Sequence, residues 1–293
     1  MYPARIENYH RPTTCTEALA AMQQYDEGDA VFVAGGQSIM QAMKSRMLQP
    51  GNIIDLQAVE ELKGIKRSGN SITIGAMTRY VEIASDPLLD PELGALADAA
   101  AHVGDRQVRN RGTLGGSLCW NYVASCSPAA TLGVNGQVEL LHANGSTRKV
   151  AIDDFLLGPL ETAREEQELL TAVSFDLPQN ASGSAYKKWG LVRDALPVVG
   201  VCVMVELDGS GTCSAARIAF SGLANGATRA TDSEAALVGL SGDEGELKQA
   251  FETISNNVET HDDASANADF RRQLIRTLGV EVAQSAFSRA LAR

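Results

Sequence analysis

Apolar positions along this chain follow one pattern in its first sixty residues and another beyond them. Early on, short β-branched or aromatic runs alternate with helical stretches. Met1–Tyr9 reads as an edge strand, and Glu17–Met22 as a helix that Thr14 or Thr16 can cap. Val31–Val33 reads as a short buried strand, and Gln37–Met47 as a short helix with Ile39, Met40 and Met43 on one side. Asn52–Leu56 is the third strand. Crossover helices favour parallel pairing, which puts Gly35-Gly36 at the carboxyl end of a strand, where α/β ligands bind.

The pattern then changes to hairpins. Gly64–Arg67 and Ser71–Ala76 flank a turn at Ser68-Gly69-Asn70, and Val138–Leu141 pairs with Arg148–Ile152 across Asn144-Gly145. Between them Thr78 can cap a helix through Val81 and Ile83, and Glu92–His102 reads as a second helix after Pro91. Asp105–Gly112 reads as a solvated turn and Asp153–Gly158 as a loop. Glu168–Phe175 is a strand, and Asn180–Ser184 has the composition of a linker. Val198–Leu207 and Ser214–Phe220 are long partnered strands, and the last stretch is helical with a polar side. These shifts divide the chain at 1–57, 58–178 and 179–293.

Charge narrows the function. A net charge of −11 argues against a nucleic-acid surface, which needs clustered Lys and Arg. With no N-terminal signal pattern and no apolar run of bilayer length, the expectation is a cytoplasmic protein without a membrane span. The five cysteines (Cys15, Cys119, Cys126, Cys202, Cys213) form no C-x-x-C. They read as free, mostly buried thiols, and no metal site is expected. Neither H-E-x-x-H nor G-x-S-x-G occurs, so zinc and hydrolase readings lack support.

Two glycine loops carry the candidate chemistry. Ala34-Gly35-Gly36-Gln37-Ser38 joins a strand to a helix start, and Thr113-Leu114-Gly115-Gly116-Ser117 repeats the pairing of glycines with hydroxyls about 80 residues later. Glycine lets backbone approach a ligand, and free N–H groups of a first helical turn attract negative charge. Two such loops can clamp one diphosphate, each giving N–H groups. Gly35→Val or Gly116→Val is therefore expected to block the phosphate. A Rossmann G-x-G-x-x-G is absent.

Over nearly its whole length the chain resembles the FAD-binding medium subunits of the molybdenum hydroxylases. The matching stretches are Ala34–Ser38, Ile74-Gly75-Ala76-Met77-Thr78, Gln107–Ser117 and Ala185-Tyr186-Lys187-Lys188-Trp189, in matching order and spacing. The resemblance implies an α+β chain with a vanillyl-alcohol-oxidase-like (PCMH-type) FAD-binding fold: two α/β subdomains and a C-terminal α+β domain closing over the cofactor. It implies non-covalent FAD contacts at Val33–Ile39, at Thr78 and Val103, and at Thr113–Ser117. It adds Leu169 and Leu170, a lysine at Lys187 or Lys188 (Lys188 favoured, since an aromatic follows), and Leu196, where some relatives shield the flavin ring with an aromatic. No side-chain acid or base is expected, so no catalytic residue is assigned.

Three departures from the family fall together. Ser117 replaces Asn, Ser127 replaces an Asp before Pro128, and Thr131 stands where a flavin-contacting Asp is frequent. The role that follows from the resemblance is an electron outlet. Molybdopterin on a large subunit and [2Fe–2S] clusters on a small subunit would feed electrons to FAD, which passes them to an external acceptor. The assembly expected is a dimer of heterotrimers. Two alternatives remain open: a free-standing flavin oxidase or reductase of the same fold, and a nucleotide-binding regulatory module.

Overall fold

A computed structural model describes residues 5–292. Of the expected strand Met1–Tyr9, residues 1–4 lie outside the described residues; among the rest, residues 5–7 are not in a strand, and the strand runs Asn8–His10. That strand lies parallel to Asn52–Asp55, which in turn pairs in parallel with Ala30–Val33. The helix Cys15–Met22 starts at Thr14, whose hydroxyl accepts from Glu17 N–H, and buries Ala18, Leu19 and Met22 against the sheet. The second helix is shorter at both ends than its apolar pattern suggests, Ile39–Lys44: Gln37 and Ser38 form the turn before it, and Ser45 and Arg46, the latter at φ +60°, the turn after it.

The middle region is a five-stranded antiparallel sheet. Its order is Ile65–Ser68, Ser71–Gly75, Glu168–Asp176, Gln137–His142 and Thr147–Ala151. Both predicted hairpins occupy it, with the long strand Glu168–Asp176 between them. Helices Gly94–His102, Leu114–Trp120 and Cys126–Gly133 cover one face, and Leu96, Leu118, Ala129 and Leu132 pack there with Val138 and Val173.

The third region is a four-stranded antiparallel sheet, Ser182–Trp189, Val199–Leu207, Cys213–Leu223 and Gly226–Arg229. The helices Glu244–Asn257 and Ala268–Leu291 back it, closing a second core around Val201, Phe220, Phe251 and Phe287. It docks on the middle region through Arg289, which pairs with Asp98 at 2.7 Å and donates to the Ser184 carbonyl at 2.6 Å.

Four local expectations are corrected. Asn180–Ser184 is not a linker: Ser182 opens a strand, and Ser182 and Ser184 are fully buried. Small residues stand there because a helix lies directly on the strand; a Cβ at Gly183 would come within 2.4 Å of the Ala286 carbonyl. Thr78 caps no helix. Arg79 is the N-cap, while the buried Thr78 hydroxyl accepts from Gly64 N–H at 3.0 Å and donates to the Gly64 carbonyl at 3.1 Å. Asp105–Gly112 holds a short helix, Arg106–Arg109, because Asp105 accepts from Val108 N–H. Asp153–Gly158 supplies a turn of helix, Ile152–Phe155, and a short strand, Leu156–Gly158.

Candidate functional site

The first glycine loop leaves the strand Ala30–Val33 and turns at Gly36, whose φ of +76° lies in the left-handed region. Among the described residues, the backbone N–H groups of Gly36, Gln37, Ser38 and Ile39 have no protein acceptor. Ser38 is the N-cap of the following helix but makes no side-chain cap bond. A row of amides and one hydroxyl is thus left to a ligand.

The second loop differs. Thr113 caps the helix Leu114–Trp120, its hydroxyl accepting from Gly116 N–H at 3.2 Å. Leu114 N–H donates to the Thr78 carbonyl, Gly115 N–H to the Ala76 carbonyl at 2.9 Å, and Ser117 N–H to the Thr113 carbonyl at 3.2 Å. All four amides are spent within the protein, so the expected two-sided clamp of N–H groups is not what the geometry offers. The glycines serve contact instead: a Cβ at Gly115 would lie 2.6 Å from the Ala76 Cβ, and one at Gly116 would lie 3.2 Å from the Ala34 Cβ.

The two loops also touch. A Cβ at Gly35 would sit 2.0 Å from the Arg111 carbonyl oxygen and 2.8 Å from the Gly112 Cα. Gly35 is therefore required by backbone packed on backbone, whatever ligand lies beyond.

A cavity of about 760 Å³ runs along this junction and draws walls from all three regions. That volume falls in the range of small-molecule and cofactor sites. Ala34–Ile39 form one side; Thr113 and Gly115–Ser117 face them; Leu169 and Leu170 give an apolar strand edge; Lys188 and Asp194–Pro197 close the far end.

The end beside the first region is polar and internally braced. Glu166 accepts from Gly28 N–H at 3.0 Å, and Arg164 donates to the carbonyls of Glu165, Glu166 and Glu168. The buried Glu168 carboxylate is held by two bonds from Arg148, at 2.6 and 2.8 Å. Those bonds keep its pKa below the ordinary value. At the opposite end Lys188 Nζ donates to the Ala195 carbonyl at 2.5 Å. Burial lowers its pKa. Beside it the Cys126 thiol is pushed up by burial, as is the Tyr186 hydroxyl, which lies 3.0 Å from the Ser221 hydroxyl.

Most of the residues singled out in the sequence meet at this cavity: Ala34–Ile39, Val103, Thr113, Gly115–Ser117, Leu169, Leu170, Lys188 and Leu196. Four stand away from its walls. Val33 packs on Met43 and Ile53, and Leu114 belongs to the middle core. Thr78 is spent on Gly64, and Lys187 points outward to Glu281. Thr131, the residue at the expected Asp position, is fully buried and donates to the Ser127 carbonyl at 2.8 Å. Between Leu118 and Thr131, where the sequence departs from the family, Cys119, Ala124, Ser125 and Cys126 reach the cavity.

No sequence signal marks Gly28, Tyr80, Arg164, Glu166 and Asp194, which also line the cavity. Glu166 is tied to the first region by a contact across 138 residues, with Gly28. The Arg106–Arg111 stretch, read as solvated, contributes Val108 and then the Gly112 backbone.

The site suits an extended, partly anionic cofactor. One side offers unpartnered amides, the middle offers Phe32, Leu169 and Leu170 as apolar surface, and the far end offers a cation. No helix among the described residues is long and apolar enough to cross a membrane.

Two family models match the chain: "FAD binding domain in molybdopterin dehydrogenase" over residues 4–178 and "CO dehydrogenase flavoprotein C-terminal domain" over residues 184–286. The carbon monoxide dehydrogenase medium chain of Hydrogenophaga pseudoflava is 32% identical over 289 residues, covering 99% of both chains. A solved structure of that organism's carbon monoxide dehydrogenase superposes with a TM-score of 0.90 at 33% identity, covering 99% of each chain. The quinoline 2-oxidoreductase of Pseudomonas putida 86 does so with a TM-score of 0.88 at 27% identity, covering 99% of this chain and 100% of that one. The cavity and these likenesses agree: the chain belongs to the family of FAD-binding subunits of the molybdenum hydroxylases, oxidoreductases of several subunits.

Proposed function

We propose that FAD lies in the cavity described above, bound without a covalent link, and that this chain is the electron outlet of a larger hydroxylase. The observation that carries the reading is the row of unpartnered amides from Gly36 to Ile39 on one wall of a cavity that ends at Lys188. The amides and the Ser38 hydroxyl bind the pyrophosphate. Ala34, Gly116 and Ser117 shape the facing wall, with Val33, Leu114 and Thr78 supporting the loops from behind. Leu169 and Leu170 pack along the cofactor. Lys188 and Leu196 stand at the ring end, where a cation stabilises negative charge on the reduced ring. When bound, the flavin accepts electrons one at a time and releases them in pairs, which is the cofactor's own chemistry.

The finer architecture we propose is the PCMH-type flavin fold, with its parts at 1–57, 58–178 and 179–293. The substrate is hydroxylated at a molybdopterin centre on a large subunit, and [2Fe–2S] clusters on a small subunit carry electrons here. The assembly is a dimer of heterotrimers in the cytoplasm. Five cysteines without cluster spacing fit that division of labour.

The test uses the chain alone, loaded with FAD. Dithionite should bleach the flavin and an added acceptor should restore it. Carbon monoxide, purines and N-heterocycles should leave it oxidised, and denaturation with filtration should release all the yellow colour. Bleaching by any of those substrates without another subunit would favour a free-standing flavin enzyme.

A further inference from the structure

A charged side chain outside the cavity joins two of its walls. Arg271 lies on the C-terminal helix Ala268–Leu291 and is 1% exposed, the largest fully buried side chain among the described residues. A buried guanidinium is costly unless every donor is used. Here Nη1 donates to the carbonyls of Val198, at 2.5 Å, and Gly222, at 2.7 Å. Nε donates to the His261 carbonyl at 3.0 Å, and Nη2 meets the Asp263 carboxylate at 2.6 Å.

The two carbonyls at Nη1 are the roots of cavity walls. Val198 ends the 190–197 loop, whose neck is closed by Val198 N–H donating to the Trp189 carbonyl at 2.8 Å. That loop carries Asp194–Pro197 into the cavity and presents the Ala195 carbonyl to Lys188. Gly222 N–H donates to the Val123 carbonyl at 2.9 Å, and the next residues, Ala124, Ser125 and Cys126, also line the cavity. A Cβ at Gly222 would lie 2.3 Å from the Val198 carbonyl, so the two roots are already in contact.

We propose that Arg271 is a positioning residue for the ring end of the FAD cavity: it fixes the gap between the 194–197 and 124–126 walls and so places Lys188 and Leu196. The inference rests on the reading of the cavity as the FAD site. Arg271 itself touches no cofactor. Its guanidinium suits the task because one planar nitrogen group spans two carbonyls at fixed separation, which the single nitrogen of a lysine cannot reproduce alongside the Asp263 and His261 bonds.

The test compares full-length Arg271→Met with Phe251→Leu, a core variant of the same helical layer whose side chain packs on Gly279. FAD dissociation constants are measured for each at temperatures equally far below its own apo melting point. Hydrogen exchange is followed in the apo chains for peptides covering 122–126 and 190–198. Arg271→Met should weaken FAD about tenfold, alter the visible circular dichroism of bound flavin, and speed exchange in both peptides. Phe251→Leu should do none of these. Equal FAD weakening in the two variants, or unchanged exchange at both roots in Arg271→Met, would overturn the proposal. If Arg271→Met does not fold, Arg271→Lys takes its place, with the same measurements and the same expected and overturning results. A wild-type chain that binds no FAD would instead overturn the reading of the cavity, an outcome distinct from these.

Discussion

The two glycine loops have nearly the same residues and opposite duties. In Ala34–Ser38 the amides after the turn are unpartnered and belong to residues that line the cavity, and only Gly35 is pinned by neighbouring backbone. In Thr113–Ser117 every amide from Leu114 onward is bonded inside the protein, and Leu114 and Gly115 are buried. The first loop is built to take hydrogen-bond acceptors from outside, and the second is built to hold the first in place. A glycine pair with a hydroxyl therefore does not by itself identify a phosphate contact. What decides is where its N–H groups go.

The largest effects should fall on the glycines that touch backbone. Gly35→Val and Gly115→Val place a side chain within 2.0 Å of the Arg111 carbonyl oxygen and within 2.6 Å of Ala76, respectively. Each should cost about 3 kcal/mol or more of stability. Both variants should hold little or no FAD because the apo fold is destabilised, seen as a lower melting temperature without FAD. For Gly35 this replaces the simpler expectation that the side chain fills the space of the pyrophosphate. Wild-type melting of either apo variant would break the packing half of the comparison.

The neighbouring lysines sharpen it at the other end of the cavity. Lys188→Ala should weaken FAD about tenfold, as loss of a charge-assisted contact does. Lys187→Ala, which loses only an exposed pair with Glu281, should stay within about 0.5 kcal/mol of wild type. Because burial holds the Lys188 pKa below the usual lysine value, its charge is present below that lowered pKa and lost as pH rises through it. FAD affinity should accordingly decline at alkaline pH in the wild type sooner than an ordinary lysine would dictate, and the decline should vanish in Lys188→Ala. Titration of FAD fluorescence across pH reads both.

Two hydroxyls give the smallest and most selective effects. Thr113→Val removes the acceptor of Gly116 N–H and should cost about 1 kcal/mol of stability with little change in FAD affinity. Ser38→Ala removes no protein bond from its helix and should melt like the wild type while binding FAD more weakly, by about 1 kcal/mol. Melting curves and FAD titrations on the same two variants should give crossed results.

Much of the architecture is legible in the sequence because it is local. The alternation around Ser68-Gly69-Asn70 and Asn144-Gly145 specifies two hairpins, and both form. The crossover helices specify the parallel strands at Asn8–His10, Ala30–Val33 and Asn52–Asp55. Features that depend on distant partners are not legible. Ser182 to Ser184 look like linker because nothing nearby shows the helix Ala268–Leu291 that lies on them. The same holds for the site: Gly35 and Lys188 stand in motifs, whereas Glu166 enters through a contact from far along the chain, with Gly28. The bonding state of the second loop is hidden for the same reason, since its acceptor for Gly115 N–H is Ala76, which follows the neighbouring hairpin.

The most direct measurement is hydrogen exchange of individual backbone amides with and without FAD. In the apo chain Gly36, Gln37, Ser38 and Ile39 should exchange quickly, and FAD should slow them strongly. Gly115, Gly116 and Ser117 should be protected in both states and change little. First-loop amides that are already protected without FAD, or that FAD leaves unprotected while slowing the second loop, would contradict the assignment of cofactor binding to the first loop.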